Sequence, residues 1–142
     1  MKDLAFLDAQ LFATSRLAHL ATADRKGVPH VVPVCFAYHQ GYIYSVIDSK
    51  PKRTDPLKLK RVRNILANPK VALVLDHYDE DWDRLWYVLV SGTAQLILEG
   101  EEHQRAVEAL RQKYHQYLYM EIAAGPMIKI TPMRVVRWGK PL

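Results

Sequence analysis

The sequence predicts a mainly β fold with flanking helices, a closed or split antiparallel β-barrel of six strands. Six runs rich in Val, Ile, Leu and Tyr follow one another, several joined by short turn segments such as "DRKG" and "QG". Helical spacing of apolar residues is confined to a few segments at the margins of these runs. The 142 residues are 49% hydrophobic and 25% charged, ordinary globular values, and enough for one domain over 1–142 with its own core.

The elements follow in order. "LAFLDAQLFA" places Leu4, Leu7, Leu11 and Phe12 at helical spacing and predicts a short opening helix. "RLAHLATA" alternates as a strand, and "DRKG" turns the chain. "VPHVVPVCFAYH" is β-rich, but Pro29 and Pro33 cannot donate to a ladder, so it is expected at an edge or a bulge. "YIYSVI" alternates Tyr42, Tyr44 and Val46 against Ile43, Ser45 and Ile47. "KVALVLDHY" and "LWYVLVSGTAQLI" are two more strands, the second expected to bend at Gly92. "EGEEHQRAVEALRQKYHQYL" reads as a helix with Glu99, Glu101 and Glu102 near its N-terminus and a buried stripe of Val107, Leu110, Tyr114 and Leu118. "MIKITPMRVVRW" is the sixth strand.

Composition narrows the function classes. The single cysteine, Cys35, allows no intramolecular disulfide, which fits a reducing compartment. The N-terminus lacks the continuous apolar core of a signal peptide, and no run is long enough to span a bilayer, so a cytoplasmic protein without membrane partners is expected. The net charge of +5 becomes informative only where it is located.

It is concentrated in "SVIDSKPKRTDPLKLKRVRNILANP", residues 45–69, with seven Lys and Arg. Asp55 is a suitable N-cap, Pro56 suits the first helical position, and Asn68-Pro69 ends the helix. Leu59, Val62, Ile65 and Leu66 form its expected buried stripe, from which Lys60 and Arg63 project as a solvated face. Lys58 falls within the apolar arc, one turn from the N-terminus. Lys50, Lys52 and Arg53 occupy the loop between a strand end and a helix start, where backbone N–H groups and the helix dipole favour an anion. A phosphate site and a solvated basic loop both fit these residues. No glycine-rich cradle is present, so neither a P-loop nor a dinucleotide fingerprint applies.

A strand "YIYSVIDS", a basic loop "KPKR", a helix closing on "NP", then "KVALVLDHY" and "YVLVSGTAQL" resembles the pyridoxamine 5′-phosphate oxidase-like split-barrel superfamily of flavin- and deazaflavin-binding proteins. The resemblance covers about residues 3–138 and implies a six-stranded antiparallel split β-barrel and a homodimer with cofactors at the subunit interface. It implies that Lys50, Lys52 and Arg53, with Lys52 foremost, hold the cofactor phosphate. Ser45, with the backbone of Val46 and Ile47, matches the strand beside the flavin ring, and Pro33 and Val34 match the strand along its other edge. Tyr87 stands near the position where full oxidases often carry a cofactor-binding glutamine. The chain also lacks the longer C-terminal portion through which those oxidases bind substrate, so the resemblance implies the redox cofactor rather than vitamin B6 oxidation. "LKRVRNILANPKVALVLDHYDEDWDRLW" looks more like the subgroup of probable coenzyme F-420-dependent enzymes. The implied cofactor is FMN, or alternatively F-420, whose anionic oligoglutamate tail would suit the surplus base. The implied activity is hydride transfer to or from a small organic substrate.

Other residues have two readings. Trp82, Trp86 and Trp138 fit a wall for a planar cofactor and fit a barrel core equally. The acids and His77 of "DHYDEDWDRLW" lack HxH or HExxH spacing and read as a solvated loop rather than a metal site. The histidines make no nucleophile–base pattern, Cys35 reads as core, and no catalytic acid or base is nominated. A non-catalytic flavin, deazaflavin or heme protein uses the same pocket. A nucleic-acid barrel is disfavoured, because Tyr42 and Tyr44 sit in an apolar strand rather than on a basic platform.

Overall fold

The computed structural model describes residues 6–47 and 55–139, and residues 6–8 by backbone alone. Seven strands form one antiparallel sheet: β1 (Ala18–Ala23), β2 (Pro29–Val34), β3 (Ala37–His39), β4 (Tyr42–Val46), β5 (Lys70–His77), β6 (Trp86–Ile97) and β7 (Met127–Gly139). Among the described residues three α-helices accompany them: α1 (Phe6–Thr14), α2 (Lys60–Ala67) and α3 (Glu101–Lys113).

The strand order is β2-β1-β5-β6-β7-β4-β3, so β2 and β3 lie at opposite edges although only Cys35 and Phe36 separate them. So short a connection spans at most about 11 Å. The sheet therefore curls until its edges approach each other, giving a half-barrel.

The expected six strands are corrected to seven at this corner. The run "VPHVVPVCFAYH" is two strands, because the backbone of Phe36 leaves the ladder for side chains of the α3 segment. Its N–H donates to the Tyr114 hydroxyl at 3.1 Å, and its carbonyl accepts from Lys113 Nζ at 2.9 Å. Pro29 and Pro33 lie on the edge strand β2, as their missing N–H groups require. At Gly92 the β6–β7 register shifts, and a Cβ there would meet the Thr131 carbonyl oxygen at 2.0 Å, so only glycine fits the bend without displacement.

Alternation along the strands fills the curl. Leu20, Leu73, Leu75, Val88, Val90 and Ile130 are buried within it together with Phe12 and Phe36. A second cluster, including Tyr44, Val107, Leu110, Tyr114 and Met127, packs α3 over β3 and β4. The helix stops at Lys113, and a tighter turn over His115–Tyr119 changes the phase. Tyr117 is buried there in place of the expected Leu118, which is exposed.

The basic helix also begins later than its sequence suggests. Asp55 caps a 3₁₀ turn over Pro56–Lys58, its carboxylate accepting from the Leu57 N–H. Leu59 is then extended, and α2 starts at Lys60. This break leaves Lys58 exposed instead of within the apolar arc. Val62 and Ile65 are buried as expected, whereas Leu66 is exposed and Asn64 is buried.

Candidate functional site

Side chains that do not enter the curl build the opposite face of the sheet. On β6, Val88 and Val90 point inward, so Tyr87 and Leu89 point outward. Cross-strand pairing extends each row: Pro33, His19, Val74, Leu89 and Val136 lie in one, and Asp76, Tyr87 and Trp138 in the next. The Tyr87 and Trp138 rings stack with centroids 6.0 Å apart and planes at 19°. Beside them a cleft of about 540 Å³ is lined by Val74, His77, Tyr78, Leu85, Trp86 and Leu89 among others. The His77 imidazole stacks on Trp86 at 6.0 Å and 17°, and its Nε2 lies 3.6 Å from an Asp79 carboxylate oxygen. Such a ledge offers large aromatic contact area at small conformational cost.

The remaining expected site residues lie elsewhere. Lys50, Lys52 and Arg53 fall outside the described residues. Lys58 is solvent-exposed on the 3₁₀ turn. Pro33 is exposed on β2, whereas the Val34, Ser45, Val46 and Ile47 side chains are buried, so these four have only backbone groups to offer at the surface. β3 pairs with β4 only as far as Tyr44, and Ile47 donates its N–H to Pro126 on the β7 side. Strand alternation then turns the N–H and C=O of Val46 toward the edge that β3 leaves uncovered. Val46 pairs with Met127 at the start of β7, and Tyr87 with Trp138 near its end. Eleven residues of strand separate them, roughly 36 Å at about 3.3 Å per residue.

Two arrangements were not legible in the sequence. One is the His77–Asp79 pair against Trp86. The other is a cationic cleft between the β1–β2 turn and α2, lined by Arg25, Lys26, Lys60 and Arg63. The only signal for it was the pair of adjacent cations in the "DRKG" turn. There the Asp24 carboxyl is held below its usual range, chiefly by the backbone N–H of Val28. Elsewhere, Glu102 is lowered by hydrogen bonds from Lys129 at 2.7 Å and from Tyr44 at 2.6 Å. Tyr44 is raised by burial and by the same carboxylate. Burial lowers Lys113 to about 7 and raises Tyr114 to about 12. Among the described residues no group of three His, Cys, Asp or Glu is arranged to hold a metal ion. No helix among them is long and apolar enough to cross a membrane.

Residues 8–139 match the family model described as pyridoxamine 5′-phosphate oxidase. A 5a,11a-dehydrotetracycline/5a,11a-dehydrooxytetracycline reductase of Streptomyces rimosus subsp. rimosus is 30% identical over 139 residues, covering 97% of this chain and 81% of the reductase. The heme storage protein HutZ of Vibrio cholerae superposes with a TM-score of 0.74 at 14% identity, over 98% of this chain and 96% of HutZ. An FAD-binding protein of Mesorhizobium loti superposes with a TM-score of 0.68 at 22% identity, over 96% of this chain and 95% of that protein. At these identities the two solved structures establish likeness of fold.

Proposed function

The chain belongs to the pyridoxamine 5′-phosphate oxidase family, and from that premise we propose that it is a flavin- or deazaflavin-dependent oxidoreductase acting on a small organic substrate. The observation that carries the reading is the 30% identity to a reductase across nearly the whole chain. The exposed Tyr87–Trp138 ledge beside an apolar cleft suits the planar ring of such a cofactor. FMN is the first candidate and F-420 the alternative.

The proposed site is shared between two copies of the chain. In one copy, Pro33, Val34 and the Ser45–Ile47 strand flank the ring by backbone, while Lys52, with Lys50, Arg53 and Lys58, holds the phosphate. Tyr87 and Trp138 of the other copy cover the ring. The separation of Val46 from Trp138 along β7 supports two contributors. So does the outward apolar row of Val74, Leu89 and Val136, which a second copy would cover. When bound, the cofactor supplies the hydride chemistry. The chain supplies orientation, an apolar surround and charge for the phosphate.

A non-catalytic heme- or flavin-binding protein is the second reading. It is favoured by His77, an imidazole set against an aromatic cleft, and by the fold shared with HutZ. The absorbance spectrum and mass of the co-purifying chromophore, followed by titration with FMN, F-420 and heme, separate the two. A flavin or deazaflavin that is reoxidised by a substrate such as a dehydrotetracycline supports the oxidoreductase. Tight heme binding with no reductant-dependent turnover overturns it. Sedimentation showing only a 16.4 kDa monomer at micromolar concentration overturns the shared site.

A further inference from the structure

We infer that the cleft between the β1–β2 turn and α2 is a binding site for a small, multiply charged anion, separate from the aromatic ledge. The cleft, about 560 Å³, is lined by Arg25, Lys26, Lys60 and Arg63, with Asp24 the one acid among the described residues. Four cations less one carboxylate leave +3 on the described residues of this cleft, against +5 for the whole chain. A concave surface lined by one sign of charge focuses its field and raises the local concentration of counter-ions.

The walls are fixed before any ligand arrives. Asp24 accepts at its carbonyl from Gly27 (3.1 Å) and at its carboxylate from the N–H groups of Lys26 (2.8 Å) and Val28 (3.0 Å). Gly27, at φ +81°, closes the turn in the left-handed region. Arg25 and Lys26 therefore stand at the two central positions of a braced turn. Asn68 Nδ2 donates to the Asp24 carbonyl (3.3 Å), and the buried Asn64 donates to the buried Thr22 hydroxyl (3.0 Å), so the α2 segment is tied to the turn at one point and to the end of β1 at another. Lys60 lies one helical turn before Asn64 and shares its face, which brings it over the turn instead of into bulk solvent. Its Nζ is 3.9 Å from the Asp24 carboxylate, too long and too exposed a pairing to neutralise the cleft. Among the described residues, Arg25, Lys26 and Arg63 have no acidic side chain within ion-pair range.

The chemistry of the lining selects the occupant. Among the described residues it contains no aromatic side chain on which a base could stack, which disfavours single-stranded nucleic acid. Leu66, 66% exposed, and Ala67 add a narrow apolar strip. Several phosphates or carboxylates on a short flexible backbone match three unneutralised charges spread over two walls. Such an anion comes either free in solution or as the charged extension of a larger ligand.

The test is calorimetric and NMR titration of the isotope-labelled full chain with tripolyphosphate and, separately, citrate. Saturable binding with shifts at the amides of residues 24–27 and 60–67 is expected. Arg25→Glu and Arg63→Glu should each weaken it by roughly 10-fold or more, since each removes a charge-assisted contact. Arg105→Glu, an exposed position on α3 outside the cleft, should leave it unchanged. Saturating FMN should not compete. Equal weakening by Arg105→Glu, loss with Lys52→Ala alone, displacement by FMN, or tighter binding of an uncharged-backbone competitor than of tripolyphosphate would each overturn the assignment. Where F-420 binds, which rests on the cofactor reading above, affinity that falls with Arg63→Glu while that of FMN holds makes the oligoglutamate tail the source. Unchanged F-420 affinity makes it a free anion. Failure of FMN and F-420 to bind at all removes the cofactor reading and leaves the tripolyphosphate result standing.

Discussion

The Trp138 indole lies against the Tyr87 ring at 6.0 Å and 19°, directly across the β6–β7 pairing and on the face turned away from the core. The rings are 51% and 36% exposed. Two large aromatics stacked in solvent contribute little to the stability of the protomer and present a surface to something else.

Trp138→Ala should therefore weaken flavin binding several-fold, as the loss of about 0.5–1.5 kcal/mol of aromatic contact implies. It should also reduce self-association, while the thermal midpoint of the protomer changes little. Flavin fluorescence titration and sedimentation measure these separately. A large fall in the midpoint with unchanged flavin affinity would make the pair structural.

Lys52→Ala should weaken FMN binding by roughly 10- to 150-fold if its ammonium holds the phosphate. Lys60→Ala and Arg63→Ala should change FMN affinity little, because both side chains line the separate cleft on α2. Riboflavin, without the phosphate, should bind poorly and be nearly indifferent to Lys52→Ala. Equal effects of all three substitutions on both flavins would show a diffuse field in place of a phosphate contact.

Gly92→Ala should destabilise the chain by about 1–3 kcal/mol through steric overpacking. The added Cβ would start 2.0 Å from the Thr131 carbonyl oxygen, and a backbone group cannot rotate away as a side chain does. A urea unfolding midpoint that does not move would mean that the bulge relaxes freely.

Lys113 gives stability a defined pH dependence. Its ammonium, lowered by burial from 10.5 to about 7, donates to the carbonyls of Phe12 and Phe36 at 2.7 and 2.9 Å. Between these two values the unfolded chain binds a proton that the folded chain has released. The contribution of this group to stability therefore rises with pH across that window and is level below it. Tyr114, raised to about 12, acts with the opposite sign once pH exceeds the ordinary tyrosine value, because there the folded chain keeps a proton that the unfolded chain loses. The urea midpoint should climb from about pH 7 to about pH 9.5, and Lys113→Met should remove much of that climb. The same variant should be less stable by about 1–3 kcal/mol at about pH 6, where both carbonyls lose their donor. A wild-type profile parallel to that of Lys113→Met would place the titration elsewhere.

Most of the strands, the edge position of β2, the bend at Gly92 and the Asp55 cap were legible in the sequence alone. Each is governed by residues adjacent in the chain: alternating apolar side chains, a proline without a donor, a glycine without a Cβ, a carboxylate two residues from the N–H it accepts. The helical stripes were legible only in part. Leu66 falls off its stripe because α2 turns Asn64 inward to Thr22, which carries Leu66 outward, and Leu118 because the turn after Lys113 changes the phase.

The tertiary structure decided what depends on partners distant in sequence. The break between β2 and β3 is made by Tyr114 and Lys113, 78 and 77 positions from Phe36, and no local pattern in "VPVCFAYH" announces them. Lys60 and Arg63 read as a solvated face until Asn64 and Asn68 tie the α2 segment to the end of β1 and to the β1–β2 turn and set Arg25 and Lys26 opposite them. Tyr87 and Trp138 meet only through the β6–β7 register, 51 residues apart in sequence. Sequence periodicity reports which face of an element is apolar, while the packing of one element on another determines what that face meets.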